Sequence, residues 1–195
     1  EVLEERIVDF KEGKYDVRLS GGEFVLKALA DAVDVEALTK QAVDEIIARC
    51  ADRKHWAIYC CTIEHCQHVA AELASRGISV ATVHGGLSRD ERAYRLNAFA
   101  TGEVRAVASC EILTVGWDFP ALDAIILLRA TNSPRLYCQI GGRGLRIHPD
   151  KKDCLFLDFT STVAKFGPLD CLKVPSKKES TGDGLPVTKV CSACE

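Results

Sequence analysis

Between Trp56 and Phe159 short apolar runs alternate with amphipathic stretches in a steady rhythm. W-A-I-Y-C-C (56–61), I-S-V-A-T-V (78–83), V-R-A-V-A-S (104–109), D-A-I-I-L-L (123–128) and D-C-L-F-L-D-F (153–159) read as strands. Residues 64–76, and a segment opened by Ser88, carry apolar side chains at helical spacing. Gly77 and Gly102 stop them, Ser88 and Glu91 form a capping box, and Ser133-Pro134 starts another helix. The strands are apolar throughout, so both faces of their sheet need cover. That predicts an α/β fold, a parallel sheet sandwiched by helices. Ligands of such sheets gather beyond the carboxyl ends of the strands. The loops at Thr62, His84–Gly86, Cys110–Pro120 and Ile140–Arg146 are therefore expected to place the chemistry on one edge.

Composition narrows the class. No apolar run approaches the roughly 20 residues of a membrane span, and the acidic start E-V-L-E-E-R-I-V-D-F is not a signal peptide. A net charge of −3 argues against a basic, DNA-coating protein, but leaves room for a narrow groove of backbone amides and a few cations. Of the ten cysteines, Cys60, Cys61, Cys110 and Cys154 fall on strand-like runs and Cys66 and Cys138 on helix-like ones, which suits reduced, buried thiols and a cytoplasmic location. Methionine is absent, even at position 1, so the chain reads as part of something longer. Ahead of the alternation, a helical pattern runs from Phe24 to about Val33, and a second begins after Asp34 as N-cap. Residues 1–35 are expected to be an approach segment, 36–160 a domain, and 161–195 an irregular tail.

Three stretches carry candidate chemistry. L-T-V-G-W-D-F-P (113–120) precedes a buried strand, and Asp118 there would accept ribose hydroxyls while Gly116 allows close approach. The bland alternative is a turn with a capping aspartate. T-V-H-G-G-L-S-R-D-E-R (82–92) sets Gly85 and Gly86 before a helix N-terminus, a setting that favours a phosphate. Its arginines are equally a solvated helix face. Q-I-G-G-R-G-L-R (139–146) puts Arg143 and Arg146 on what reads as an exposed glycine-rich turn. Two guanidinium forks match phosphate oxygens. No G-x-x-x-x-G-K-S/T cradle exists in the chain to hold that phosphate.

In order and spacing these stretches resemble the C-terminal RecA-like domain of superfamily II helicases. A-I-Y-C-C-T-I-E-H-C-Q-H-V-A looks like motif IV, L-T-V-G-W-D-F-P like motif V, and Y-C-Q-I-G-G-R-G-L-R like motif VI. The run from Gly142 to Phe159 is most similar to RadD-like helicases, relatives of the restriction-enzyme motor subunits. The resemblance implies that ATP and Mg2+ lie between two motor domains, of which this is the second. The first RecA-like domain, in the same parent chain, would hold the phosphate loop and the DEAD/DEAH carboxylates. Arg143 and Arg146 would be arginine fingers. Gly116, Asp118, Gln139 and Gly142 would lie near the nucleotide. Thr62, Gly85, Gly86, Ser109 and Thr114 would lie near a nucleic-acid backbone, with DNA the expected polymer and repair the expected setting. Cys110 stands where many relatives carry threonine.

Two further signals point elsewhere. Gly21-Gly22-Glu23-Phe24 spells the signature of diguanylate cyclases, but so near the start it reads as a helix entrance. Cys191 and Cys194 supply one pair where a zinc site needs about four ligands, half a ribbon at most. The isolated fragment is expected to bind no metal and to be inactive as an enzyme. The rival reading is a non-catalytic module of the same fold that docks a partner protein, which would have no need of the two arginines.

Overall fold

The computed structural model describes residues 3–7, 19–20, 23–24, 34, 36–110, 113 and 117–171. Its elements are β1 (Leu3–Ile7), β2 (Leu19–Ser20), β3 (Glu23–Phe24), α1 (Glu36–Arg49), β4 (Trp56–Tyr59), α2 (Ile63–Ser75), β5 (Val80–Val83), α3 (Arg89–Ala100), β6 (Ala106–Ser109), β7 (Ala124–Leu127), α4 (Pro134–Gly144), β8 (Cys154–Asp158) and α5 (Thr162–Phe166). A short 3-10 turn, Leu169–Cys171, follows.

Six strands form one sheet in the order β1-β8-β7-β4-β6-β5, with every pairing parallel. Alternate side chains of these apolar strands go to opposite faces. Trp56, Ile58, Ala106, Ala108, Ala124, Ile126, Leu155 and Leu157 pack against Val43 and Ile46 of α1 and Val69 and Leu73 of α2. Ala57, Tyr59, Val107, Ile125, Leu127 and Phe156 face Phe99 of α3, Tyr137 and Ile140 of α4, and Val163 of α5. This two-sided cover is the one the continuous apolar runs predict. Each large side chain so buried contributes about 1.5–3 kcal/mol of transfer free energy.

Local chemistry fixes the ends. Thr62, Ser88 and Ser133 each accept a backbone N–H three residues on, capping α2, α3 and α4. Gly77 and Gly102 follow α2 and α3 with φ of +79°, a left-handed conformation that only glycine adopts cheaply. At the amino edge, Asp123 accepts from the backbone N–H groups of Lys54 and His55 at 2.7 and 2.8 Å, which sets the start of β4 beside β7. Arg105 stacks on Trp56 at 4.5 Å and donates to the carbonyls of Cys50, Ala51 and Arg53 just past α1.

Cys50, Cys60, Cys61, Cys66, Cys110 and Cys154 are free and buried, as the strand and helix positions suggest. Burial pushes the thiols of Cys50, Cys61 and Cys154 up to about 12, so they stay protonated and unreactive.

Two expectations change at the amino-terminal end. Glu23–Phe24 is not a helix entrance but a strand paired antiparallel with Leu19–Ser20. Asp34 lies two residues ahead of α1, and its carboxylate binds His68 instead. The rest of the pattern to Val33, and Cys191 and Cys194, lie outside the described residues.

Candidate functional site

Gln139 to Arg146 is not a glycine-rich turn. α4 runs on through Gly144, and Arg143 lies in its last turn. The glycines serve close packing of helix on sheet. A Cβ at Gly144 would meet Cys154 Sγ at 2.7 Å and Ile125 Cδ1 at 2.9 Å, and one at Gly141 would collide with Leu169. Gly142 differs, because its Cβ would enter open space.

That packing has a positional consequence. α4 leaves the carboxyl end of β7 and descends to the amino end of β8. Cys154 begins β8 and Ile125 is the second residue of β7, so the helix ends over the amino ends of the strands. A four-residue strand spans roughly 13 Å. The candidate residues are therefore divided between two edges rather than gathered on one.

The lower group centres on the arginines. Trp117 and Asp118, which precede β7, lie beside the end of α4. Arg143 is only 8% exposed, which corrects its placement on an exposed turn. Its Nη1 donates to the Trp117 carbonyl, its Cζ lies 6.0 Å from the Trp117 ring, and its buried Nε has no partner. Arg146, just past the helix, is half-exposed and forms an ion pair with the Asp118 carboxylate. Gln139, Gly142 and Arg143 lie on one side of α4 by their three- and four-residue spacing, and Arg146 follows just past its end. Lys151 donates from Nζ to the Gly144 carbonyl at 2.8 Å, a cation on the helix's negative end.

Aromatic rings hold this segment in place. Trp117 stacks on Phe119 at 5.9 Å and packs against Phe99, and His55 meets the edges of Phe99 and Phe119. Burial lowers the pKa of His55 and keeps it neutral near pH 7. Tyr59, inside the same cluster, has a buried hydroxyl without a partner. Burial raises its pKa, and the Arg143 charge opposes that shift. Sequence reasoning named Asp118 but missed its neighbour Trp117, whose carbonyl and ring hold Arg143. A tryptophan beside a loop glycine was the available signal.

The upper group lies at the carboxyl edge, where α2, α3 and α4 all begin. Their N-terminal N–H groups give that edge positive potential. Thr62 sits there, its hydroxyl accepting from His65 N at 3.1 Å. Gly85 and Gly86 are exposed in the turn between β5 and α3, and Gly86 N donates to His84 Nδ1 at 3.2 Å. Ser109 is turned inward, 1% exposed, its hydroxyl accepting from Leu113 N at 3.4 Å. Cys110 Sγ donates to the Cys61 carbonyl. Asp158, fully buried, accepts from Thr160 N and Oγ1 and from Val163 N, and so fixes the turn after β8. Thr114 and Gly116 lie outside the described residues. Among those described, no three metal-ligating side chains converge, and no helix is long and apolar enough to cross a membrane.

Comparison with known proteins gives a consistent result. Residues 38–148 match the family described as helicase conserved C-terminal domain. The chain is 31% identical over 134 residues to a putative mitochondrial ATP-dependent helicase, irc3, of Schizosaccharomyces pombe, covering 67% of this chain and 22% of that protein. It is 27% identical over 146 residues to the putative ATP-dependent helicase IRC3 of Saccharomyces cerevisiae, covering 74% and 21%. The chain thus spans about a fifth of the length of these relatives. Among solved structures it is similar to the Escherichia coli DEAD-box protein SrmB, with a TM-score of 0.57 at 13% identity, covering 67% of this chain and 78% of that one. It also resembles the C-terminal domain of the DEAD-box protein Dbp5, with a TM-score of 0.53 at 19% identity, covering 65% and 79%. These likenesses place the sheet in the RecA-like class.

Proposed function

The chain belongs to the helicase C-terminal domain family, and from that premise we propose that it is the second motor domain of an ATP-dependent DNA helicase or translocase. One observation carries the proposal: Arg143 and Arg146 converge on the Trp117–Asp118 segment at one end of α4. Two guanidinium groups held beside a carboxylate suit a site that awaits a more highly charged anion. The ATP γ-phosphate, presented by a first motor domain, has that character.

Arg146 is placed to act first. Its pair with Asp118 is half-exposed, and such pairs contribute only about 0.2–1 kcal/mol. A triphosphate displaces Asp118 readily, after which the planar fork binds two phosphoryl oxygens. Asp118, once released, is free to accept hydrogen bonds from a ribose. Arg143 fixes Trp117 and, through it, the position of Asp118; a small outward rotation brings its guanidinium to the same phosphate. Charge that grows on the transferring phosphoryl group is then neutralised more strongly than ground-state charge, so the arginines act on turnover. Mg2+ would be held by the phosphate-loop domain, since among the described residues no three metal-ligating side chains converge.

The carboxyl edge receives the nucleic-acid backbone. Thr62, Gly85 and Gly86 present helix N-termini and exposed backbone there. Ser109 joins it only by turning its hydroxyl outward. Closure of two domains on ATP and reopening after hydrolysis then move this edge along the strand.

The test joins this domain to a first motor domain and measures DNA-stimulated ATP turnover. Arg146→Ala should lower kcat by on the order of a thousandfold with a modest change in KM. Wild-type turnover in the Arg143→Ala, Arg146→Ala double variant would overturn the motor assignment and leave a partner-docking module as the better reading.

A further inference from the structure

Of the three glycines in α4, Gly141 makes room for Leu169, Gly144 makes room for Cys154 and Ile125, and Gly142 makes room for nothing in this chain. Gly142 is exposed, and a Cβ there would enter open space. Its φ is not positive, so no left-handed turn requires glycine either. Alanine is the better residue at an exposed helical position.

A second feature lies one turn on. Among the described residues five large apolar side chains stand exposed, and two of them, Leu145 at 45% and Ile147 at 77%, flank Arg146 in the chain. Leu145 is the C-cap and keeps right-handed helical dihedrals, so it follows Gly142 by three residues on the same side. The end of α4 thus combines bare helix backbone, a half-exposed guanidinium and two exposed apolar side chains.

We propose that this end is the docking face for the first motor domain of the parent chain, and the proposal rests on the motor reading. Leu145 and Ile147 seat against that domain on either side of Arg146, and Gly142 leaves room for its closest approach. Arg146 reaches a γ-phosphate only where the domain that presents it comes within hydrogen-bond distance, about 3 Å. The neighbours of Arg146, with Cα atoms about 3.8 Å from its own, are carried into the same contact. This chain contains no G-x-x-x-x-G-K-S/T cradle to supply the phosphate itself. The helicase relatives, of which it covers 22% and 21%, have most of their length elsewhere. Apolar flanks keep water out of the contact and so strengthen the pairing of Arg146 with phosphate. A second copy of this chain is a poorer occupant, because it brings another arginine and no phosphate.

The experiment uses this domain joined to the first motor domain. ATP turnover is measured beside the compaction that a non-hydrolysable ATP analogue causes, read by small-angle X-ray scattering. A docking contact made before the chemical step serves substrate and transition state alike, so its loss raises KM and spares kcat, the reverse of the pattern expected for Arg146→Ala. Ile147→Ser should raise KM for ATP, and the analogue concentration that half-compacts the protein, on the order of tenfold, as expected for one large apolar side chain left unburied. Leu145→Ser should do the same to a smaller extent. Gly142→Ala should raise both several-fold while melting higher than wild type, a combination that a merely structural glycine does not give. Tyr94→Ser, which removes an exposed ring from α3, should change neither. A wild type that neither compacts nor hydrolyses ATP would overturn the motor reading and this face with it. A wild type that does both, with KM and compaction unchanged in Ile147→Ser and Leu145→Ser or equally changed in Tyr94→Ser, would overturn the docking face alone. Dimers of this chain in sedimentation that Ile147→Ser disperses would also overturn it, since the face would then belong to a second copy.

Discussion

Arg143 and Arg146 stand three residues apart and do different things. Arg146 is half-exposed and pairs with the exposed carboxylate of Asp118. Arg143 is buried, with its stem in the aromatic cluster and a charged hydrogen bond to a backbone carbonyl. A hydrogen bond to a charged group contributes about 1.5–3 kcal/mol. Arg143→Ala should therefore destabilise the isolated chain by about 1–3 kcal/mol, and Arg146→Ala by less than about 0.5 kcal/mol. Chemical denaturation of both variants checks this. Equal stabilities would mean that Arg143 is not held as described. In turnover assays the order should persist after correction for folding, with Arg146→Lys rescuing poorly because an ammonium lacks the planar fork.

At the scale of the element, α4 separates two kinds of glycine. Gly142 is exposed, helical and unobstructed, so Gly142→Ala should stabilise the chain by about 0.5–1 kcal/mol through helix propensity. Gly144→Ala drives a methyl into Cys154 and Ile125 and should destabilise by about 1–3 kcal/mol. Thermal melts that move in the same direction for both would contradict the packing. This helix also marks where the sequence was and was not legible. The strands, their two-sided cover and the caps at Ser88 and Ser133 followed from short-range patterns that act within a few residues. The continuation of α4 through Ile-Gly-Gly-Arg-Gly did not, because glycine propensity argues for a turn and only the neighbouring sheet rewards a bare helix face. The division of the candidate site between two edges was hidden for the same reason. It depends on how far α4 descends, which a sequence does not state. Asp118 and Arg146 were legible as a motif, whereas the burial of Arg143 under Trp117 is a tertiary fact.

Across the whole molecule, two titratable histidines and the charge balance set the response to solution conditions. His65 is 3% exposed and its Nδ1 accepts from Cys61 N, so it folds as a neutral ring with its pKa lowered by burial, as does His55. Above the ordinary value of 6.5 both folded and unfolded chains are neutral there. As pH falls below it, the unfolded chain takes up protons that the folded chain refuses, so stability drops. The melting temperature should fall from pH 7.5 to 5.5, and His65→Gln should lessen the fall; an unchanged fall in that variant would remove His65 from the account. The same global view governs nucleic-acid binding. The chain carries a net charge of −3, and its carboxyl edge offers helix N-termini more than a dense row of cations. Only about two phosphates are then neutralised, and affinity should fall about tenfold between 50 and 200 mM salt, far less than for a protein making many phosphate contacts. Fluorescence anisotropy with a single-stranded oligonucleotide over that range measures the slope. A steep slope, of the size expected for six or more contacts, would require a basic surface that the described residues do not supply. A slope near zero would mean that the edge does not touch phosphates, and the groove assigned to Thr62, Gly85 and Gly86 would fall with it.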